Sequence, residues 1–471
     1  MASQISCPSF LVVLLFLCSL HLSFASEITE ADLQHSHRVH LTSLFPSSTC
    51  TSPTKGGRNK KTSLEVFHRH GPCSQVKADG VTESEILRQD ESRVKSIRSK
   101  LSKRDNLKEE DSINLPAKPG SLLGVGNYFV TIGLGTPKKD YSLVFDTGSD
   151  LTWTQCRPCA GSCYTQNDPI YDPSKSTSYS NITCTSPTCT QLTSATGNQP
   201  GCAKTSKACI YGIQYGDSSY SVGYFSTERL SLSSKDVVDG FLFGCGQNNR
   251  GLFGRAAGLL GLGRNPISFV QQTAKKYRKI FSYCLPATSS SVGYLAFGSG
   301  GSNSVKYTPI STISQGPSFY GIDIIGITVA GKKLPISASI FSSGGAIIDS
   351  GTVITRLPPT VYSSLRGAFR QAMSKYPSVG GISILDTCYD FTGYKTLEIP
   401  KIIFSLKGGV DVGLVPNGVL YVVTEKQVCL AFAANSDDGD VTIFGNVQQK
   451  TLEVVYDVGA AKIGFAAGAC K

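Results

Sequence analysis

The chain has 471 residues, of which 40% are hydrophobic and 17% charged, with a formal net charge of +11. Length is therefore no limit on building a core, and there is room for a processing segment plus one large two-lobed body. From residue 113 onward the excess of basic residues is spread without a Lys/Arg block, which describes a solvated basic surface and does not by itself indicate nucleic-acid binding.

At the N-terminus, residues 10–22 are almost wholly apolar, and Ser23-Phe24-Ala25 forms a small-x-small cleavage site. Residues 1–25 therefore read as a secretory signal, too short for a membrane span, although residues 1–9 carry no Lys or Arg. No other stretch is long and apolar enough to cross a bilayer. The expected destination lies along the secretory route: the extracellular space, the cell wall or the vacuole. A plastid transit peptide is the alternative; the segment has the serines but no Arg before Arg38.

Residues 26–115 differ in composition from the rest of the chain, being polar and poor in aromatics. Residues 1–112 hold 15 Lys+Arg against 13 Asp+Glu, whereas residues 113–471 hold 30 against 21. Ile86, Val94, Ile97 and Leu101 keep helical spacing, predicting an amphipathic helix over about 83–104. Pro116, Pro119 and Gly120 then break regular structure. The region reads as a removable prosegment; a disordered tail is the plainer alternative.

From Tyr128 the pattern becomes β-like, with many short apolar runs between Gly-rich turns. Forty-eight Gly, 20 Tyr and 22 Phe fit an all-β body. Helices are expected only over 267–277 and 358–376, the second presenting Val361, Leu365, Phe369 and Met373 on one face. The body divides into an N-terminal lobe, residues 116–305, and a C-terminal lobe, residues 306–471.

The most informative pattern is a repeat. Asp146-Thr147-Gly148-Ser149 follows Leu143-Val144-Phe145, and Asp349-Ser350-Gly351-Thr352 follows Ala346-Ile347-Ile348. One such tetrapeptide is an ordinary β-turn with Asp at its first position. Two in the same strand-to-turn setting point to a duplicated lobe, each copy delivering one carboxylate to a shared site. Two carboxylates sharing a proton can activate water and hydrogen-bond a carbonyl oxygen, which is what peptide hydrolysis requires. Gly148 and Gly351 permit the tight turn. Thr147 and Ser350 are placed to reach across to the opposite lobe's backbone, and Ser149 and Thr352 to hydrogen-bond the outer carboxylate oxygens.

Twelve cysteines lie in the body, an even and dense set that behind a signal peptide favours six disulfides. The spacing of Cys156, Cys159 and Cys163 also suits a zinc knuckle, but no His lies near and secretion favours bridges. Asn181-Ile182-Thr183 is a glycosylation triplet that places an expected glycan on Asn181.

With these motifs in their order, the chain from 125 to 471 resembles the pepsin-like aspartic proteases. Tyr215-Gly216-Asp217 matches the family's flap, and Trp153, seven residues after Asp146, matches the tryptophan that supports the flap tyrosine. Leu259-Leu260-Gly261 and Ile443-Phe444-Gly445 match the apolar-apolar-Gly sequences behind each catalytic loop. The seven cysteines between Asp146 and Tyr215 are similar to the insertion of the plant nepenthesin-type branch. The stretches 64–74 and 243–249 resemble the group of the chloroplast nucleoid protease. Two departures stand out: Ser350 replaces the usual Thr, and Ser218 a frequent Gly.

The resemblance implies a bilobal all-β fold with a few short helices and a cleft between the lobes, and Asp146 and Asp349 as the catalytic pair. It also implies a monomer without metal or other cofactor, extended polypeptide substrates and pepstatin-type inhibitors. Carried over by order, the family's bridges are Cys156–Cys159, Cys163–Cys245, Cys184–Cys209, Cys189–Cys202, Cys284–Cys470 and Cys388–Cys429. A secreted aspartic endopeptidase made as a zymogen is the leading expectation. The alternatives are a catalytically dead relative that binds another protein, like the plant xylanase inhibitors, and a plastid DNA-associated protease.

Overall fold

The computed structural model describes residues 35–51, 62–74, 82–102, 128–215, 219–251, 253–312 and 316–470. The expected signal segment lies outside these residues. Strands dominate from Tyr128 onward, as the alternation of apolar residues and Gly-rich turns requires.

Two strands of the N-terminal lobe frame the first aspartate: β3 (Tyr128–Leu134) and β4 (Lys139–Asp146). They pair antiparallel, and β4 ends on Asp146 with every residue from Tyr141 buried. Leu259-Leu260-Gly261 runs parallel beside Val144, Phe145 and Asp146. The C-terminal lobe repeats this arrangement. Ala346–Ile348 leads into Asp349, and Thr442–Phe444 lies parallel beside it, Phe444 level with Ile348. Such doubly flanked strands are apolar throughout because neither face meets water. The expected bilobal all-β architecture is what the chain adopts.

The segment preceding Tyr128 is built into this body. Its first strand, β1 (Ser36–His40), extends the C-terminal lobe by pairing antiparallel with Thr396–Pro400. Its second, β2 (Ser63–His68), sits inside the large sheet between Val292–Phe297 and β3. Its helix, α1 (Glu83–Ser102), ends two residues before the expected limit. Glu83 and Glu85 in its first turn and Lys100 in its last suit the helix dipole. Ile86 and Leu87 pack with Val353, Ile354 and Val447, and Val94, Ile97 and Leu101 pack with Phe319, Ile347 and Ile443.

The helix expected over 267–277 is two short turns, Phe269–Gln272 and Ala274–Tyr277, separated at Thr273. That expected over 358–376 covers Pro359–Ala372, with Val361, Leu365 and Phe369 buried. Pro at its first turn costs no helical hydrogen bond.

Four expected cysteine pairings are corrected. The bonds are Cys156–Cys245, Cys159–Cys163, Cys184–Cys202 and Cys189–Cys209. Strand pairing sets Cys245 level with Thr154, within reach of Cys156, which leaves Cys159 and Cys163 to each other. In the insertion, buried Cys189 takes buried Cys209, while exposed Cys202 takes the half-buried Cys184. Cys284–Cys470 and Cys388–Cys429 join as the resemblance implied, and Cys50–Cys73 adds a bond within the N-terminal segment.

Leu87 is fully buried on the docked face of α1. Leu87→Ala is expected to weaken docking of the helix by about 2–5 kcal/mol, read as faster amide exchange in α1 while exchange in β3 and β4 is unchanged.

Candidate active site

The repeated tetrapeptides meet across the lobe boundary. The Ser350 amide donates to Thr147 Oγ1 at 2.9 Å, and the Thr147 amide donates to Ser350 Oγ at 3.2 Å. These reciprocal bonds are buried and lock the two turns together. Ser350 in place of the more usual Thr thus keeps the hydroxyl that the arrangement needs. Each carboxylate also accepts from its own turn: the Gly148 amide reaches Asp146 at 2.9 Å, and the Gly351 amide reaches Asp349 at 3.1 Å.

The outer contacts differ between lobes. Thr352 Oγ1 donates to Asp349 Oδ2 at 2.6 Å. Ser149 Oγ is close enough to Asp146 to help stabilise its charge, but it does not close a hydrogen bond of full geometry. Glycine is needed at both turns because the carboxylates approach so closely. A Cβ on Gly148 would stand 2.8 Å from Asp349 Oδ1, and one on Gly351 would stand 2.6 Å from Asp146 Oδ1.

Arg93, from α1, lies between the two acids. Its Nη2 donates to Asp146 Oδ1 at 2.7 Å and to Asp349 Oδ2 at 2.9 Å; Nη1 and Nε add bonds of 3.2 and 3.0 Å to the same pair. Both acids are fully buried. Burial opposes charge on Asp146, but the Arg93 guanidinium outweighs it and holds that carboxyl below its usual range. At Asp349 burial prevails, reinforced by the neighbouring Asp146 charge, and the pKa rises despite Arg93. Burial works against the Arg93 charge too, yet the two carboxylates more than offset it, so the guanidinium holds its proton more tightly than in water.

The same helix makes a second polar contact one turn earlier. Asp90 accepts from the amides of Val353 at 2.5 Å and Ile354 at 3.1 Å, and its Oδ2 lies 3.0 Å from Arg356 Nη2. Neither Asp90 nor Arg356 was singled out by the repeat, and nor was Arg93. The signal was present nonetheless: Asp90 and Arg93 fall on the helical face defined by Ile86, Ile97 and Leu101, where a solvated charge is out of place.

Trp153 and Tyr215 come together as the resemblance implied, with Trp153 Nε1 donating to Tyr215 OH at 2.8 Å. Phe253, unmarked in the sequence, packs against both rings at 4.8 and 5.9 Å between centroids. Gly216, Asp217 and Ser218, at the tip of the expected flap, lie outside the described residues. Asn181 is exposed and its Oδ1 accepts from Tyr179 OH at 2.6 Å. Among the described residues no cluster of His, Cys, Asp or Glu could hold a metal ion. Cys156, Cys159 and Cys163 form disulfides, so the zinc-knuckle alternative has no free thiolates to use.

Thr147→Val removes the acceptor for the buried Ser350 amide while keeping the side chain's shape. It is expected to cost about 1–3 kcal/mol of stability, measured by denaturant unfolding of the intact chain against wild type.

Comparison with known proteins identifies the family. Residues 128–299 match the xylanase inhibitor N-terminal family and residues 319–467 the xylanase inhibitor C-terminal family. An aspartyl protease family protein of Arabidopsis thaliana is 55% identical over 470 residues, covering 98% of each chain. Aspartyl protease AED1 of the same plant is 49% identical, covering 98% of this chain and 99% of its own. Aspartic proteinase nepenthesin-2 of Nepenthes gracilis is 35% identical, covering 82% and 85%. Among solved structures, that of edgp shares the fold, with a TM-score of 0.57 at 20% identity over 72% of this chain and 91% of that one. By these matches the chain belongs to the pepsin-like aspartic protease family in its plant, nepenthesin-like branch.

Proposed function

We propose that the protein is an aspartic endopeptidase, exported as a zymogen whose residues 26–115 block the cleft until they are removed. The observation that carries this reading is the bridge from Arg93 to both Asp146 and Asp349. One guanidinium nitrogen within 3 Å of both acids sets them side by side in a single site. Once Arg93 has left, like-charge repulsion leaves the pair singly protonated over a range of pH. The ionised member takes a proton from a water molecule as that water attacks the peptide carbonyl. The protonated member hydrogen-bonds the oxyanion that forms, and the departing amine then collects a proton from the dyad. Tyr215, held by Trp153, closes over an extended peptide that adds its backbone to the cleft much as another strand would. An inactive, inhibitor-like role is disfavoured because both aspartates and the flap tyrosine are retained.

The direct test is cleavage of a denatured protein after acidification of the proform. Pepstatin-sensitive cleavage is expected, accompanied by a new N-terminus beyond Ser102. Asp146→Asn should lower the rate by at least about a hundredfold, as loss of a catalytic acid–base group does; unimpaired cleavage by this variant would exclude the mechanism.

Acid would loosen the block through two half-buried histidines at the end of β2. Burial holds the His70 pKa down to about 3 and puts His68 well below 6.5, with Arg69 adding to the effect on both and Lys450 to that on His68. The neutral His70 Nε2 accepts from Arg69 Nε at 3.2 Å, and a protonated ring cannot accept that bond. A folded-state pKa below the unfolded one means that the released segment binds more protons. Docking is therefore unaffected above about pH 6.5 and weakens as pH falls toward 3. Asp146, whose pKa is depressed, adds to this weakening only below the usual Asp range. Glu83 and Asp90, whose pKa values burial raises, pull the other way, so the histidines provide the first trigger. The double variant His68→Gln/His70→Gln is expected to move the pH of half-activation downward; an unchanged midpoint would assign the trigger elsewhere.

A further inference from the structure

Asp90 occupies a ready-made receptor for a carboxylate. The Val353 and Ile354 amides point at its two oxygens at 2.5 and 3.1 Å, and Arg356 Nη2 closes the third side at 3.0 Å. The amides follow Asp349 by four and five residues, so this receptor adjoins the dyad. Arg356 is itself fully buried while α1 is docked, and among the described residues of the body its guanidinium finds only the Ile354 carbonyl, at 2.9 Å from Nη1. Its other acid partners, Asp90 and Glu91, both belong to α1, and its Nε is buried with no hydrogen-bond partner.

Removing the segment that blocks the cleft therefore strips Arg356 of both counterions. Without them the guanidinium and the two amides are left as free donors on the cleft wall, and a new carboxylate that uses the same three donors restores the arrangement. We infer that, once α1 has departed, Arg356 and the Val353 and Ile354 amides form an acidic-side-chain subsite that makes the enzyme prefer substrates carrying Glu or Asp near the scissile bond. This inference rests on the endopeptidase reading and adds a specificity to it.

The spacing sets the distance from the cut. Asp90 and Arg93 are three residues apart in a helix, with Cα atoms about 5 Å from each other. An extended peptide advances about 3.3 Å per residue, so the acidic side chain belongs one to three residues from the bond positioned over the dyad. The preference depends on the ionised form of the substrate. It should be full above the usual Glu pKa of about 4.3 and fade as pH falls below it.

The experiment uses the acid-activated full-length product and a neutral reference peptide, in which each position within three residues of the cut is replaced in turn by Glu or by Gln. At pH 5.5, one position is expected to show kcat/KM about tenfold or more higher for Glu than for Gln, as loss of charge-assisted hydrogen bonds implies. The ratio should fall toward unity at pH 3 for the same enzyme. Arg356→Gln should abolish the ratio while leaving cleavage of the reference peptide; Arg356→Lys, which retains the charge, should keep part of it. If Arg356→Gln does not fold, the pH dependence of the wild-type ratio decides. Equal rates for Glu and Gln at every position, in an enzyme that cuts the reference peptide, would overturn the subsite alone. Failure to cut the reference peptide at all would overturn the endopeptidase reading and the subsite with it.

Discussion

Two buried carboxylates facing one another are the constraint on which the molecule is built. Each must be removed from water, and their mutual repulsion would drive the lobes apart if nothing opposed it. Opposition comes in two layers. Beneath the acids, the interlocked hydroxyls and amides of Thr147 and Ser350 tie one lobe to the other. Above them, Arg93 supplies the counter-charge. Only the upper layer comes from the segment read as removable, so the proposed chemistry and its inhibition use the same two side chains in different company.

That segment is held in three physically different ways. Strand β1 adds to an edge of the C-terminal lobe, β2 is hydrogen-bonded on both sides within the large sheet, and α1 lays an apolar face into the cleft while delivering Asp90 and Arg93. Backbone pairing is indifferent to pH, and so is apolar packing. The titratable contacts are few and divided in sign. Neutral His68 and His70 resist acid poorly, while the carboxylates that burial has pushed up tolerate it. In the proposed zymogen, a response to mild acid would therefore concentrate at the end of β2, shortly ahead in sequence of the helix that covers the dyad.

Much of the body was legible in the sequence because its signals are local. The aspartate loops follow apolar strands, the Trp153–Tyr215 contact was implied by the family resemblance, and the helix at Pro359–Ala372 follows from four apolar residues at helical intervals. The disulfides of the insertion were less legible. Which cysteine reaches which depends on strand register and on the depth of each side chain, as Cys245 beside Thr154 illustrates. The flanking sequence does not encode either quantity in a form that can be read directly.

The sequence by itself determined the family and its candidate aspartate pair, since the tetrapeptides at Asp146 and Asp349 recur in matched settings whose local geometry is set by their own strands and glycines. It also predicted an amphipathic helix over about 83–104, two residues longer than the one that forms. Only the tertiary structure decided what that helix does. Asp90 and Arg93 are ordinary charged residues until the fold sets one against Arg356 and the other between two aspartates. The physical reason is that helical periodicity acts over a few residues, whereas an electrostatic partner 256 positions away is supplied only by packing.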